Sequence, residues 1–102
     1  MVDNSIYNIH YTNRALSDAK IIKSYLLYNF TQKEVDNFYR MLGVFEGIVS
    51  KFPELYAKSS KGRNVRRAVL SKQLAVFYTI RKDTIQIVAI LDNRMDVANW
   101  PK

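Results

Sequence analysis

The sequence predicts an α+β fold in which a helical hairpin covers an antiparallel sheet. Three runs between residues 65 and 92 are dense in Val, Ile, Thr, Phe and Tyr, and short polar breaks separate them. Such short connections join antiparallel neighbours only, because a parallel return needs a crossover of about a dozen residues or more. Apolar residues at helical spacing precede these runs. We therefore expect an N-terminal strand, an antiparallel helical hairpin and a C-terminal three-stranded antiparallel sheet.

The first strand and the first helix occupy the N-terminal third of the chain. Residues 5–11 alternate as a strand, and the only histidine, His10, lies in this run. We interpret His10 as an ordinary strand side chain rather than a general base. Thr12 is expected to cap the helix that follows. The apolar stripe of that helix comprises Ala15, Leu16, Ala19, Ile22, Tyr25 and Leu26, and its polar face comprises Arg14, Asp18, Lys20 and Ser24.

A capping box predicts the start of the second helix, with the Thr31 hydroxyl accepting the N–H of Glu34. Pro53 is expected to end this helix. Gly43 and Gly47 lie four residues apart within it, and close packing against the first helix would explain two residues of such low helix propensity. The apolar stripe expected to cover the sheet comprises Val35, Phe38, Leu42, Phe45, Val49 and Phe52.

Strict alternation assigns the side chains of the last two strands to two faces. In the middle strand, Leu74, Val76, Tyr78 and Ile80 alternate with Ala75, Phe77, Thr79 and Arg81. In the last strand, Ile85, Ile87, Ala89 and Leu91 alternate with Thr84, Gln86, Val88, Ile90 and Asp92. Asp92 and Asp96 follow this strand with Arg94 between them, and we interpret them as capping residues rather than an acid/base pair.

Length and composition limit the classes of function. A chain of 102 residues forms one domain, residues 1–102, and the absence of cysteine excludes disulfides and thiolate chemistry. The apolar runs are too short to span a membrane. The sequence has no Gly-rich phosphate loop and no metal-ligand spacing, and its single histidine does not belong to a recognisable Ser–His–Asp set. We therefore expect no cofactor and no metal site. Any catalysis would depend on charge stabilisation at phosphate by Arg and Lys.

The net charge of +7 is concentrated in one segment. Residues 1–57 have equal numbers of basic and acidic side chains, whereas residues 58–82 have eight basic side chains and no Asp or Glu. This distribution favours a surface for phosphates or for an acidic protein partner over a solvated face that protects a sheet edge. The candidate binding residues in this segment are Lys58, Lys61, Arg63, Arg66, Arg67, Lys72 and Arg81.

Five short pieces of sequence carry a resemblance to a known family. They are Tyr7-x-Ile9-x-Tyr11-Thr12-x-x-Ala15, Phe52-Pro53-Glu54-Leu55, Arg66-Arg67-Ala68-Val69-Leu70, Phe77-Tyr78-x-Ile80-x-x-Asp83-x-Ile85 and Ile90-Leu91-Asp92-Asn93-Arg94-x-Asp96. With the order of elements, they make the chain resemble the RelE/ParE superfamily, the toxins of type II toxin–antitoxin systems. The resemblance implies a small cytoplasmic toxin that inhibits growth, contributes to plasmid stabilisation and is held inactive in a hetero-oligomer with a cognate antitoxin.

RelE-like members of this superfamily cut messenger RNA on the ribosome, and the resemblance indicates which residues would do so here. Arg67 and Arg94 fit the places of catalytic residues of a metal-independent endoribonuclease, with Lys58 and Lys61 assisting. Two expected groups are missing. The arginine of the middle strand is replaced by Ala75, and the tyrosine after the last strand is replaced by Trp100, whose indole cannot act as an acid or base.

The Arg-Arg-x-Val-Leu, Phe-Tyr-x-Ile and Asn-Arg-x-Asp pieces look more like ParE-type members, which poison DNA gyrase by binding. We therefore favour gyrase over the ribosome and its messenger RNA as the target, and we add Arg94 and Trp100 to the candidate target-binding residues. A third hypothesis is a non-catalytic basic nucleic-acid-binding module. Against it, the alternation of side chains along the strands places no clear aromatic stacking platform among the arginines. The basic surplus also predicts an acidic, partly disordered antitoxin that folds on binding.

Overall fold

The computed structural model describes residues 6–60, 62 and 64–95. The strands are β1 (Asn8–Tyr11), β2 (Arg66–Val69), β3 (Leu74–Arg81) and β4 (Thr84–Asp92); the helices are α1 (Asn13–Asn29) and α2 (Gln32–Val49), and a 3-10 helix (Asn93–Met95) follows β4. The two helices lie against one face of a four-stranded sheet whose order is β1-β4-β3-β2. This arrangement confirms the predicted α+β class.

The N-terminal strand joins the C-terminal sheet as its fourth strand. β1 pairs in parallel with β4, so that Asn8 lies opposite Thr84, whereas β2–β3 and β3–β4 are antiparallel. The helical hairpin between β1 and the later strands supplies the long crossover that parallel pairing needs. β1 is shorter than predicted: Ile6 and Tyr7 precede it, and the Tyr7 N–H donates to the Ser50 carbonyl at 2.9 Å instead.

Helix α1 begins as the sequence predicts. The Ala15 N–H donates to the Thr12 hydroxyl at 3.1 Å, which confirms Thr12 as the N-cap. Ala15, Ile22 and Leu26 are buried against the sheet. The assignment of Leu16 to the buried stripe is wrong: its side chain is 50% exposed, because one helical step turns it about 100° away from Ala15.

Helix α2 has Thr31 as its N-cap, as predicted, but the predicted capping hydrogen bond and the predicted end of the helix are wrong. The Thr31 side chain makes no capping hydrogen bond, and the Glu34 N–H donates instead to the Thr31 main-chain carbonyl at 3.0 Å. The helix ends at Val49, before Pro53. Pro53 has no N–H to donate to the Val49 carbonyl, so it cannot extend the helix. Phe52 therefore lies beyond the helix and outside the buried stripe, and its side chain is 62% exposed. The other five predicted stripe residues of α2 are buried.

The two glycines of α2 are not explained by close packing. A Cβ atom added to Gly43 or Gly47 would have no neighbour within 4 Å beyond its own helix, so the predicted contact with α1 is wrong. Gly43 instead lines an open groove between the two helices, together with Leu16 and Tyr39.

A bulge in β4 changes which side chains face the core. Phe77 lies opposite Ala89 and Tyr78 lies opposite Ile87, so Val88 is an extra residue between them. The alternation predicted for β4 holds as far as Ile87 and is wrong after it, because one extra residue exchanges the two faces. Ile85, Ile87, Ile90 and Asp92 are therefore buried, with Tyr78 and the inner residues of α1 and α2.

Helix α1 also covers the part of β4 that β1 does not reach. The Thr12 N–H donates to the Ile87 carbonyl at 3.0 Å, and an Asp18 carboxylate oxygen accepts the N–H of Ile90 at 2.9 Å. The prediction that Asp18 lies on the solvent face of α1 is thus wrong. Its carboxylate satisfies an open strand edge that would otherwise be free to pair with another chain.

Candidate target-binding face

The sheet has one face that the helices do not cover, and we call it the outer face. On β3 the core side chains alternate with Ala75, Phe77, Thr79 and Arg81, which therefore point to the outer face. Directly opposite residues of antiparallel strands share a face. Arg67 lies opposite Phe77, Val69 lies opposite Ala75, and Ala75 lies opposite Leu91, so the outer face also comprises Arg67, Val69 and Leu91.

A concave site of about 630 Å³, which we call the outer pocket, lies on this face. One wall is the segment 57–60, which runs beside β2: the Arg67 N–H donates to the Ala57 carbonyl at 3.0 Å, and the Ser59 N–H donates to the Val65 carbonyl at 2.6 Å. The lining residues are Ala57, Lys58, Ser59, Ser60, Arg67, Val69, Phe77 and Leu91. Leu91 reaches this site because of the bulge in β4.

Two predicted binding residues meet in the outer pocket. Lys58 and Arg67 both line it, and both side chains are exposed. Within the described part of the chain, neither side chain makes a hydrogen bond or an ion pair. Among the described lining residues there is no Asp or Glu, so both cations remain available to an anionic partner.

Arg66, the neighbour of Arg67, has a structural partner. Its guanidinium donates to the Tyr56 carbonyl at 2.6 Å and approaches the Glu54 carbonyl at 3.4 Å. Arg66 therefore holds the segment after α2 against β2, and it stabilises the wall of the outer pocket rather than lining the pocket itself.

Arg94 is held by a buried carboxylate. Its Nε donates to Asp92 at 3.0 Å and its Nη2 donates to the same carboxylate at 2.7 Å, while the Asp92 side chain is fully buried. Glu34 lies 3.9 Å away, and the guanidinium lies 5.5 Å from the centre of the Phe30 ring. The hydrogen bonds to Asp92 raise the pKa of Arg94. The Arg94 N–H also donates to Asp92 at 2.9 Å, which confirms the capping interpretation of Asp92.

The structure does not bring Arg67 and Arg94 together. Arg94 contacts Asp92 on the core side of β4 and Phe30 in the helical layer, whereas Arg67 lies on the outer face. The sheet therefore separates the two arginines that the resemblance pairs as catalytic residues.

The remaining candidate residues lie at the margins of the outer face or outside the described residues. Lys72 is exposed in the β2–β3 turn, and its carbonyl accepts the Asn93 side-chain amide at 2.7 Å. Arg81 is exposed at the far end of β3, four residues and about 13 Å along the strand from Phe77. Lys61, Arg63, Asp96 and Trp100 lie outside the described residues.

The sequence matches no family model and no curated protein, but the fold is similar to solved structures. A chain of the chromosomal ParDE TA system from P. aeruginosa gives a TM-score of 0.73 at 13% identity, covering 87% of this chain and 98% of that chain. A chain of the E. coli DinJ–YafQ toxin–antitoxin complex gives 0.62 at 10% identity, covering 89% and 97%. A conserved hypothetical protein from Helicobacter pylori gives 0.56 at 13% identity, covering 87% and 97%.

The chain has the RelE/ParE fold. The similarity extends over nearly the full length of each of these chains, as the resemblance predicted from the sequence. In this RelE/ParE fold, the outer pocket combines two free cations with an apolar floor of Val69, Phe77 and Leu91.

Lys58 and Arg67 are the charged side chains in the described lining of the outer pocket. Its described lining includes no histidine, carboxylate or tyrosine that could transfer a proton. Among residues 6–60, 62 and 64–95 there is also no cluster of three or more His, Cys, Asp or Glu side chains that could hold a metal ion. In the same residues, neither helix is long and apolar enough to cross a membrane.

Proposed function

We propose that this chain is the toxin of a toxin–antitoxin system, and that a cognate antitoxin neutralises it by forming a hetero-oligomer in the cytoplasm. The full-length fold similarity to chains of ParDE and DinJ–YafQ carries this proposal. The charge distribution supports it, because the acid-free segment 58–82 suits an acidic partner.

The toxin acts by binding DNA gyrase rather than by cleaving RNA. Three observations support this choice. The described lining of the outer pocket has no histidine, carboxylate or tyrosine beside Lys58, and Asp92 already holds Arg94. The ParDE chain also gives a higher TM-score than the DinJ–YafQ chain at nearly equal coverage. Lys58 and Arg67 in the outer pocket are the residues that contact the target. Lys72 and Arg81 extend the contact at the margins of the outer face.

The second candidate is a RelE-like endonuclease that cuts messenger RNA on the ribosome. The exposed guanidinium of Arg67 favours it, since a free cation in a concave site can stabilise the charge that develops at a scissile phosphate. If the chain is such an endonuclease, replacing Arg67 should lower the rate of RNA cleavage about a hundredfold, as is typical when an enzyme loses one preorganised hydrogen-bond donor.

Induction of the chain in bacterial cells tests the proposed function. Growth should stop, plasmid supercoiling should change before translation falls, and co-expression of a small acidic protein encoded beside the gene should restore growth. Arg67→Gln should abolish toxicity. Lys23→Gln removes one positive charge from an exposed position of helix α1 and should leave toxicity unchanged. Continued growth of cells that accumulate soluble, folded chain would refute a toxin role.

A further inference from the structure

We propose that the outer pocket binds an acidic peptide segment of the protein that the toxin inhibits, with one apolar side chain on the pocket floor and carboxylates on Lys58 and Arg67. This inference rests on the proposed function and adds the chemistry of the partner. The evidence for it is the set of side chains that line the pocket and the pairing of β2, β3 and β4 that brings them together.

The floor of the outer pocket is apolar and exposed. Val69, Ala75 and Leu91 form one row across β2, β3 and β4, and Arg67 and Phe77 form part of the next row. The Val69 side chain is 57% exposed and the Leu91 side chain is 50% exposed. Ala75, between them in the row, is only 4% exposed, so the exposed apolar surface comes from Val69, Leu91 and the partly exposed Phe77. Exposed apolar side chains beside free cations suit a protein partner, because covering them removes apolar surface from water.

The cations lie beside this floor rather than at a distance from it. Arg67 neighbours Phe77 in the same row, and Lys58 belongs to the wall formed by segment 57–60. Arg66 and Arg94 differ from them, because the guanidinium of Arg66 already donates to a carbonyl oxygen and that of Arg94 donates to a carboxylate. Lys58 and Arg67 therefore carry the unpaired charge of the pocket, and a carboxylate would pair with Arg67 through two parallel hydrogen bonds.

Charge complementarity selects the occupant. The segment 58–82 has no Asp or Glu, so every charged side chain that this part of the chain presents to a partner is positive. Phosphates would satisfy these cations but leave Val69 and Leu91 uncovered. Phe77, the single aromatic side chain among the described lining residues, could stack one nucleobase, and the aliphatic side chains of the floor would still be uncovered. An acidic peptide with an apolar side chain satisfies both the cations and the aliphatic floor.

Fluorescence anisotropy with purified chain and a labelled nonapeptide tests the inference. The probe is Asp-Glu-Asp-Leu-Phe-Leu-Asp-Glu-Asp, and two control peptides separate its features. One replaces Leu-Phe-Leu with three serines, and the other replaces each Asp and Glu with Asn and Gln. We expect saturable binding of the probe and at least tenfold weaker binding of each control peptide.

Variants with matched controls test whether the probe binds at the outer pocket. Arg67→Gln should weaken binding about tenfold, the order expected for one charged hydrogen-bonding group, while Lys23→Gln on α1 should not. Val69→Ser should weaken it by a factor of about three or more, while Leu27→Ser, at a similarly exposed position of α1, should not. These four side chains are exposed, and circular dichroism of each variant verifies that it is folded.

Two results would overturn the inference. Equal binding of the amide peptide would show that the cations are not used. Displacement of the probe by octauridylate at lower concentration than unlabelled probe would identify the pocket as a nucleic-acid site. The proposed function is tested separately. Gyrase inhibition without probe binding would contradict only the peptide inference. Probe binding without gyrase inhibition would contradict only the gyrase target.

Discussion

Replacing Phe45 with alanine tests how α2 packs on the sheet. Its side chain is 1% exposed, and its ring centre lies 5.6 Å from that of Tyr56 and 5.7 Å from that of Tyr78. Loss of a buried phenylalanine costs about 3–5 kcal/mol of unfolding free energy, of which each lost aromatic pair contributes about 0.5–1.5 kcal/mol. Tyr78 cannot easily move into the cavity, because its hydroxyl donates to the Pro53 carbonyl at 2.6 Å. We therefore expect a cost of about 4 kcal/mol.

Chemical denaturation followed by circular dichroism measures this cost. Val44→Ala is the matched control, because Val44 is the preceding residue of the same helix and is 52% exposed. It should change the unfolding free energy by less than about 0.5 kcal/mol. A cost below about 1 kcal/mol for Phe45→Ala would show that the buried face of α2 is wrongly assigned.

Four further substitutions test local features by the same denaturation measurement. Thr12→Ala should cost about 1 kcal/mol because it removes a capping hydrogen bond, whereas Thr31→Ala, which removes none, should cost clearly less; equal costs would contradict the two cap geometries. Gly47→Ala should stabilise the chain by up to about 1 kcal/mol, since open space surrounds the added methyl group, and a destabilised variant would indicate a hidden contact. Burial raises the pKa of Tyr78 from 10.0 to about 12, so ionisation of the unfolded chain should lower stability between pH 10 and 12. Tyr78→Phe should show a shallower fall over that range, and an unchanged slope would contradict the assignment.

Local sequence patterns predicted the elements of this fold because their causes are local. Thr12 caps α1 through a hydrogen bond to a residue three positions later, and the stripe of α2 from Val35 to Val49 follows helical spacing alone. The same patterns did not predict the bulge at Val88, because a bulge depends on how two strands align. They also missed Asp18, whose acceptor role exists only because β1 leaves part of β4 uncovered.

The candidate site was predictable in part for the same reason. The acid-free segment 58–82 identified Lys58 and Arg67, and the structure places both in one pocket. The apolar floor was not predicted, because Leu91 reaches the outer face only after the bulge inverts β4. Nor could sequence spacing show that Arg94 is held by Asp92 on the core side of the sheet, away from Arg67.

Supercoiling of relaxed plasmid by purified DNA gyrase, with increasing amounts of the purified chain, tests the central claim most directly. The chain should inhibit supercoiling, Arg67→Gln should inhibit clearly less, and Lys23→Gln should match the unchanged sequence. The contradicting result is undisturbed supercoiling at micromolar chain, together with codon-phased cuts when the same preparation is added to translating ribosomes.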